Sequence, residues 1–268
     1  LEDELGIELF LRRGKRLLGL TEPGKELAVI VDRMLLDARN IKRLAEQFSG
    51  AEQGRLTVAT THTQACYALP QVVARFKAAF PKVHLVLHQG SPAEIVALLQ
   101  SGEADIGIAT EALDAVPQFA TFPFYDWHHA VVVPETHALA ALPELTLEAL
   151  SEHPLITYHE GYTGRARIDA TFAGAGLTPD IVMSALDADV IKTYVQVGLG
   201  VGILAAMAFE PARDQGLRLL PASHLFCANT TKIAIRRGHY LRGYAYRFLQ
   251  ECVGDLQEDV VNQAIAVE

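Results

Sequence analysis

The chain has 268 residues, half of them apolar and 21% charged, with a formal net charge of −9. That length exceeds what one small core organises and points to two compact units, and no apolar run approaches the roughly 20 residues that a membrane-spanning helix needs. The acidic balance excludes a general nucleic-acid-binding surface, which must be positive where it faces the phosphates, so any DNA contact has to be local.

The first five residues, Leu1-Glu2-Asp3-Glu4-Leu5, read as a helix already under way, with no cap before them, so an N-terminal piece is expected to be missing. Residues 8–21 read as two short strands around a turn at Gly14, which carries Arg12, Arg13, Lys15 and Arg16. Such a basic hairpin can neutralise phosphates, although a solvated turn has the same composition. Thr21-Glu22-Pro23-Gly24 is a helix start, with Thr21 as cap and Pro23 in the first turn. The helix that follows carries Leu27, Val31, Met34, Ala38, Ile41, Ala45 and Phe48 at alternating steps of four and three, the seam of a coiled coil. A helix laid along its own domain would show the same stripe. The helix stops at Ser49-Gly50, and a polar linker runs to Gly54.

From Arg55 the pattern alternates between strand and helix. Strands are expected at 56–60, 83–88 and 106–109 with helices at 70–80 and 92–100, which makes a βαβαβ unit and a mainly parallel sheet. A second unit begins near Trp127, with strands at 129–133, 155–158, 181–185 and 201–204 and helices at 165–175 and 189–197. A strand at 232–235 and a helix at 241–253 are placed to return to the first unit, and two chain crossings would then form a hinge.

Open α/β sheets bind ligands at the carboxyl edge of their strands. Thr61, Thr63 and Gln64 follow the first strand there, and Thr110 follows the third. The loop Gly161-Tyr162-Thr163-Gly164 precedes a helix and offers a second N-terminal anion cradle. Any one of these threonines could instead simply cap the helix after it. Enzyme motifs fail on context. Gly198-Leu199-Gly200-Val201-Gly202 follows a helix and precedes a strand, the reverse of a dinucleotide loop. No catalytic constellation, zinc-spaced cluster or cofactor motif is found. Asp187 and Asp189 open a helix and are expected to serve its cap and dipole. Cys66, Cys227 and Cys252, odd in number and far apart, read as reduced thiols acting as small buried apolar residues.

The order of basic hairpin, Thr-Glu-Pro-Gly, long amphipathic helix and two α/β halves resembles the LysR-type transcriptional regulators. Within them, Thr60-Thr61-His62-Thr63-Gln64-Ala65-Cys66-Tyr67-Ala68-Leu69-Pro70, His88-Gln89-Gly90-Ser91-Pro92, Ile108-Ala109-Thr110-Glu111-Ala112-Leu113 and the segment 187–195 look like the CysB-like branch. The resemblance covers essentially the whole chain. Cys66 departs from it, standing where that branch usually has Arg. The resemblance implies an α/β protein: a remnant winged helix with the end of the recognition helix and its wing (1–22), a dimerising linker helix (23–50), and two Rossmann-like α/β subdomains of the periplasmic-binding-protein type (54–125 with 227–268, and 126–226). It implies a cytoplasmic regulator of sulfur assimilation and cysteine biosynthesis, without cofactor or enzymatic activity. The expected partners are promoter DNA, RNA polymerase and further copies of the chain, as a dimer or tetramer. The expected effector is sulfate, O-acetylserine, N-acetylserine or a relative, bound by Thr61, Thr63, Gln64, Thr110 and Thr163, with His62 and Trp127 matching as well. A two-lobed solute-binding protein for a small anion shares this layout, but the heptad helix and basic hairpin argue against it.

Overall fold

The computed structural model describes residues 1–49, 53–162 and 164–266. A short helix α1 (Glu2–Leu5) leads into the hairpin of β1 (Phe10–Arg13) and β2 (Arg16–Leu20), and α2 (Glu22–Ser49) follows. Thr21 joins hairpin to helix. Its hydroxyl donates to the Glu8 carbonyl at 2.6 Å and accepts the Gly24 N–H at 3.1 Å. Gly24 has to be glycine here, because a Cβ would stand 2.1 Å from the Leu9 carbonyl oxygen.

Two faces of α2 have different tasks. Leu36 is buried, Asn40 donates to the Gly238 carbonyl and accepts the Tyr240 N–H, and Arg43 reaches Asp105 at 3.0 Å. Spaced by four and three residues, these side chains fasten one face to the body of the protein. The heptad stripe lies elsewhere: Met34 is 64% exposed, Ile41 69% and Phe48 86%, with Val31 and Ala38 also exposed and Leu27 half-buried. The stripe is therefore not the face that α2 packs against its own chain.

Beyond the helix the chain runs through β3 (Gly54–Thr60), α3 (Pro70–Ala79), β4 (Val83–Gln89), α4 (Pro92–Ser101), β5 (Ile106–Ala109) and β6 (Phe119–Trp127). It crosses into β7 (His129–Pro134), α5 (Leu147–Ser151), β8 (Leu155–Tyr158), α6 (Arg165–Gly174), β9 (Ile181–Ala185), α7 (Ala188–Gln196), β10 (Val201–Ala205) and β11 (Leu217–Pro221). It then returns through β12 (Asn229–Arg236), α8 (Gly243–Cys252) and α9 (Glu258–Ile265). Two five-stranded sheets result, ordered β4-β3-β5-β12-β6 in the first lobe and β11-β7-β10-β8-β9 in the second.

Each sheet is mixed rather than mainly parallel. Three βαβ-linked strands run parallel, while β12 lies antiparallel to both β5 and β6, and β7 antiparallel to both β10 and β11. The strands at the two chain crossings cause the difference. β6 and β12 pair from Phe119↔Arg236 to Trp127↔Asn229, so the connections between lobes lie side by side as a ribbon. β6 hides from sequence patterning because Pro123 interrupts it, yet β6 is an edge strand and the register shifts between Thr231 and Lys232, where β12 meets Tyr125 and Pro123.

The cores follow the strand pleat. Leu56, Val58, Ile106, Ile108 and Ile233 fill the first lobe with Phe76 and Phe248. In β7, Val131 and Val133 pack with Ile168 and Phe172 on one face of the second sheet, and Val132 packs with Ile191 and Val195 on the other. Tyr67 of the first lobe joins that last cluster, so the lobes share apolar contact. The cysteines are not buried filler, since Cys227 is exposed and Cys66 and Cys252 are partly so.

Candidate functional site

Parallel strands deliver their carboxyl ends to one edge, and the two lobes turn these edges toward each other. After Thr60 the chain does not form a loop. The Thr61 carbonyl accepts the Ala65 N–H at 3.1 Å, and a π-helical turn over Gln64–Ala68 closes with the Leu69 N–H on the Gln64 carbonyl. Thr63 and Gln64 thus sit in the first turn of a helical segment, whose N–H groups have no intrahelical acceptor. Thr61, Thr63 and Gln64 are all buried.

Their partners come mostly from the crossing strands. The Thr231 hydroxyl lies at a hub: Trp127 Nε1 donates to it at 3.1 Å and Gln64 Nε2 at 3.3 Å, and Thr110 Oγ1 is 3.3 Å away. The Tyr125 phenol donates to Gln64 Oε1, and burial pushes its pKa up to about 12. Thr63 stands beside the Tyr158 phenol of the second lobe, which accepts the Ala205 N–H at 3.1 Å. Burial raises the Tyr158 pKa, partly offset by Ala205 and Thr63, so the phenol stays neutral. Thr63 Oγ1 nevertheless makes no well-formed hydrogen bond, and Thr60 Oγ1 and Asn229 Oδ1 are likewise buried without a partner. Buried polar atoms normally find one, which makes these oxygens under-satisfied acceptors among the described residues.

On the second lobe, Thr163 lies outside the described residues. Its neighbour Gly164 caps α6 at φ +74°, and the Gly164 N–H donates across the cleft to Glu111 Oε1. The helix end expected to cradle an anion already receives a carboxylate from the first lobe. A cavity of about 280 Å³ spans this junction, lined by Thr110, Glu111, Gly164, Arg167, Thr230 and Lys232. A Cβ at Gly164 would stand 2.6 Å from His129 Cε1 and 2.7 Å from Asn229 Oδ1. Gly164→Ala should therefore lose about 1–3 kcal/mol from backbone strain alone. An unchanged melting temperature would contradict the packing described.

His62 and Asp189 belong to a different assembly at the rim. His62 Nδ1 meets Gln89 Oε1 and Nε2 meets Asp189 Oδ2, both at 3.0 Å. Burial opposes the imidazolium, but the hydrogen bonds to Asp189 and Gln89 and the charges of Asp187 and Asp189 raise its pKa. Asp189 accepts from Tyr67 at 2.6 Å and pairs with Lys192 at 3.1 Å; burial is overcome and its pKa falls to about 2. Lys192 is buried and also pairs with Asp214 at 2.9 Å. Asp187 caps α7 through the Val190 N–H, as expected, whereas Asp189 does more than serve the helix dipole by tying the lobes together. Sequence reading missed Thr231, Glu111, Tyr125 and Lys192.

In the hairpin, Arg12 pairs with Glu2 at 2.7 Å, while Arg13, Lys15 and Arg16 are exposed. A second cavity, of about 310 Å³, lies between α2 and the first lobe, with Arg39, Lys42, Arg43, Arg55 and Arg242 facing Glu103 and Asp105.

Residues 49–257 match the LysR substrate binding domain family. The chain belongs to the LysR-type transcriptional regulators. It is 55% identical over 258 residues to the HTH-type transcriptional regulator SsuR of Burkholderia cenocepacia, covering 96% of this chain and 84% of SsuR. To the regulator CysB of the same organism it is 47% identical over 268 residues, covering 100% of this chain and 86% of CysB. The crystal structure of the cofactor-binding domain of the Cbl transcriptional regulator superposes with a TM-score of 0.78 at 48% identity, over 81% of this chain and 95% of that one. The likeness is to transcriptional regulators, not enzymes, as the sequence indicated. Such regulators bind promoter DNA and small effectors and form oligomers. Among the described residues no helix is long and apolar enough to cross a membrane.

Proposed function

We propose that this regulator controls sulfur-assimilation and cysteine-biosynthesis genes, and that a sulfate-like anion or an acetylserine from that pathway binds between its lobes. Thr61, Thr63 and Gln64 offer donors from the first lobe and Thr110 from the end of β5, and Thr163, outside the described residues, joins them on the family resemblance. Trp127 holds the Thr231 hub behind them, and His62 closes the rim. The observation that carries this reading is the buried Thr63 hydroxyl at the start of a helical segment, beside the Tyr158 phenol of the second lobe and short of a well-formed hydrogen bond. Neutral hydroxyls and first-turn N–H groups compensate an anion without a buried cation.

Glu111 supplies the coupling. An anion at the α6 terminus competes with the Glu111 carboxylate for the Gly164 N–H, so binding exchanges a contact between lobes for a contact to ligand. A ligand shifts a conformational equilibrium only by such a difference between states. The shift passes through α2 to the arrangement of paired chains on the promoter, where Arg12, Arg13, Lys15 and Arg16 contact phosphates. The reading places the protein in the cytoplasm, as a dimer or tetramer within reach of RNA polymerase.

Thr63→Ala and Thr163→Ala each remove a hydrogen bond to a charged ligand, worth roughly 1.5–3 kcal/mol, or about ten- to a hundredfold in affinity. Calorimetric titration with sulfate should show that loss, with the melting temperature in sulfate-free buffer nearly unchanged. Wild-type affinity in either variant removes that residue from the site.

A further inference from the structure

Among the described residues one group of three side chains brings together the donor types of a transition-metal site: His62, Cys66 and Asp189, whose ligand atoms all lie within 4.8 Å of one another. His62 and Cys66 stand one helical turn apart after β3, and Asp189 comes from α7 of the other lobe. Cys66 Sγ is 3.4 Å from His62 Nε2, and Asp189 Oδ2 is 3.0 Å from the same nitrogen. Zinc holds sulfur at about 2.3 Å and imidazole nitrogen or carboxylate oxygen at about 2.0–2.2 Å, so a tetrahedral site places neighbouring donor atoms roughly 3.3–3.6 Å apart. Only small side-chain movements separate the two geometries.

The surroundings already orient these donors. Gln89 Oε1 can only accept, so His62 Nδ1 carries a proton, and Nε2 faces the Asp189 carboxylate and the Cys66 sulfur as an N–H donor when the ring is charged and as a lone pair when it is neutral. Three electron-rich atoms then converge on one point, which requires a proton or a cation between them. Metal-bound histidines characteristically donate their other N–H to such an oxygen. Asp189 Oδ1 is held by Tyr67 and Lys192, which directs Oδ2 to the same point. All three side chains are partly exposed, leaving access and room for water as a fourth ligand.

We propose that His62, Cys66 and Asp189 bind a borderline-soft divalent cation, Zn²⁺ in kind, which joins the two lobes and resists their separation. Binding displaces the Cys66 thiol proton, and the Nε2 proton wherever the ring is charged, and no redox change accompanies it. The proposal does not depend on which effector enters the cleft.

Titration of the whole chain with Co²⁺ should give one saturable site with a thiolate-to-cobalt charge-transfer band that Zn²⁺ abolishes. Zn²⁺ should also raise the melting temperature. Cys66→Ala should remove the band and the thermal shift, while the double variant Cys227→Ala/Cys252→Ala keeps both. Gln89→Ala should retain the band but weaken Co²⁺ binding about ten- to a hundredfold, as loss of a residue that positions a ligand does. Persistence of the band in Cys66→Ala, or no saturable Co²⁺ or Zn²⁺ binding by the unaltered chain, overturns the proposal.

Discussion

Asp105→Ala is expected to destabilise the first lobe by about 3 kcal/mol, because it strips a largely buried junction of a charged acceptor that serves three donors. Asp105 Oδ1 accepts from Arg43 of α2 at 3.0 Å and from His239 at 3.1 Å, and Oδ2 accepts the Thr57 N–H at 2.8 Å. One carboxylate therefore fastens the long helix, the first strand of the lobe and the segment after β12. Burial opposes its charge, but the bond to His239 and the charges of His239 and Arg43 prevail and hold its pKa below the ordinary 3.8. His239 is also buried, and desolvation outweighs its bond to Asp105 and lowers its pKa from 6.5. Both shifts favour folding at neutral pH and have the same sign. The His239 contribution is complete above 6.5 and falls away as acid lowers the pH toward its folded value. The Asp105 contribution is complete above 3.8 and is lost through its own depressed pKa. Denaturant unfolding at pH 7 tests the substitution, and a loss under about 1 kcal/mol would contradict this account of the junction.

The second large effect concerns assembly. Val31→Asp with Ile41→Asp should turn the protein into a monomer, because carboxylates buried in an apolar seam cost roughly 3 kcal/mol or more, over a hundredfold in dissociation constant. Val31 is 39% and Ile41 69% exposed in the single chain, so the substitutions should leave the fold of each lobe intact. That contrast matters, since a stripe serving an intradomain face would unfold the protein without dissociating it. Sedimentation velocity showing unchanged assembly would assign pairing to another surface.

Much of the fold was readable because local patterns recorded it. The strands at 106–109, 155–158 and 181–185 stand where apolar runs end in turn residues, and the helix after Thr-Glu-Pro-Gly begins where its cap and proline require. Strand β6 was hidden by Pro123, which only its edge position tolerates. The π-helical turn was hidden because Thr-His-Thr-Gln has the composition of a loop. Site geometry was less legible for a different reason. Gln64 meets Thr231 167 residues away and Tyr67 meets Asp189 122 residues away, and no local period encodes such pairs. Gln64, Thr110 and Trp127 meet at the Thr231 hydroxyl, and Thr61 and Thr63 are buried just before Gln64 in the chain, while His62, which only the family resemblance added to them, turns its ring to Gln89 and Asp189.

An anion held between the lobes should appear in crystals of the whole chain grown with selenate, whose anomalous scattering locates the ion. The expected result is a peak within hydrogen-bond distance of Thr63 Oγ1 and near Thr110, with Glu111 moved off the Gly164 N–H. A peak confined to the basic cavity of Arg39, Lys42, Arg43, Arg55 and Arg242, with the cleft empty at saturating selenate, would contradict it.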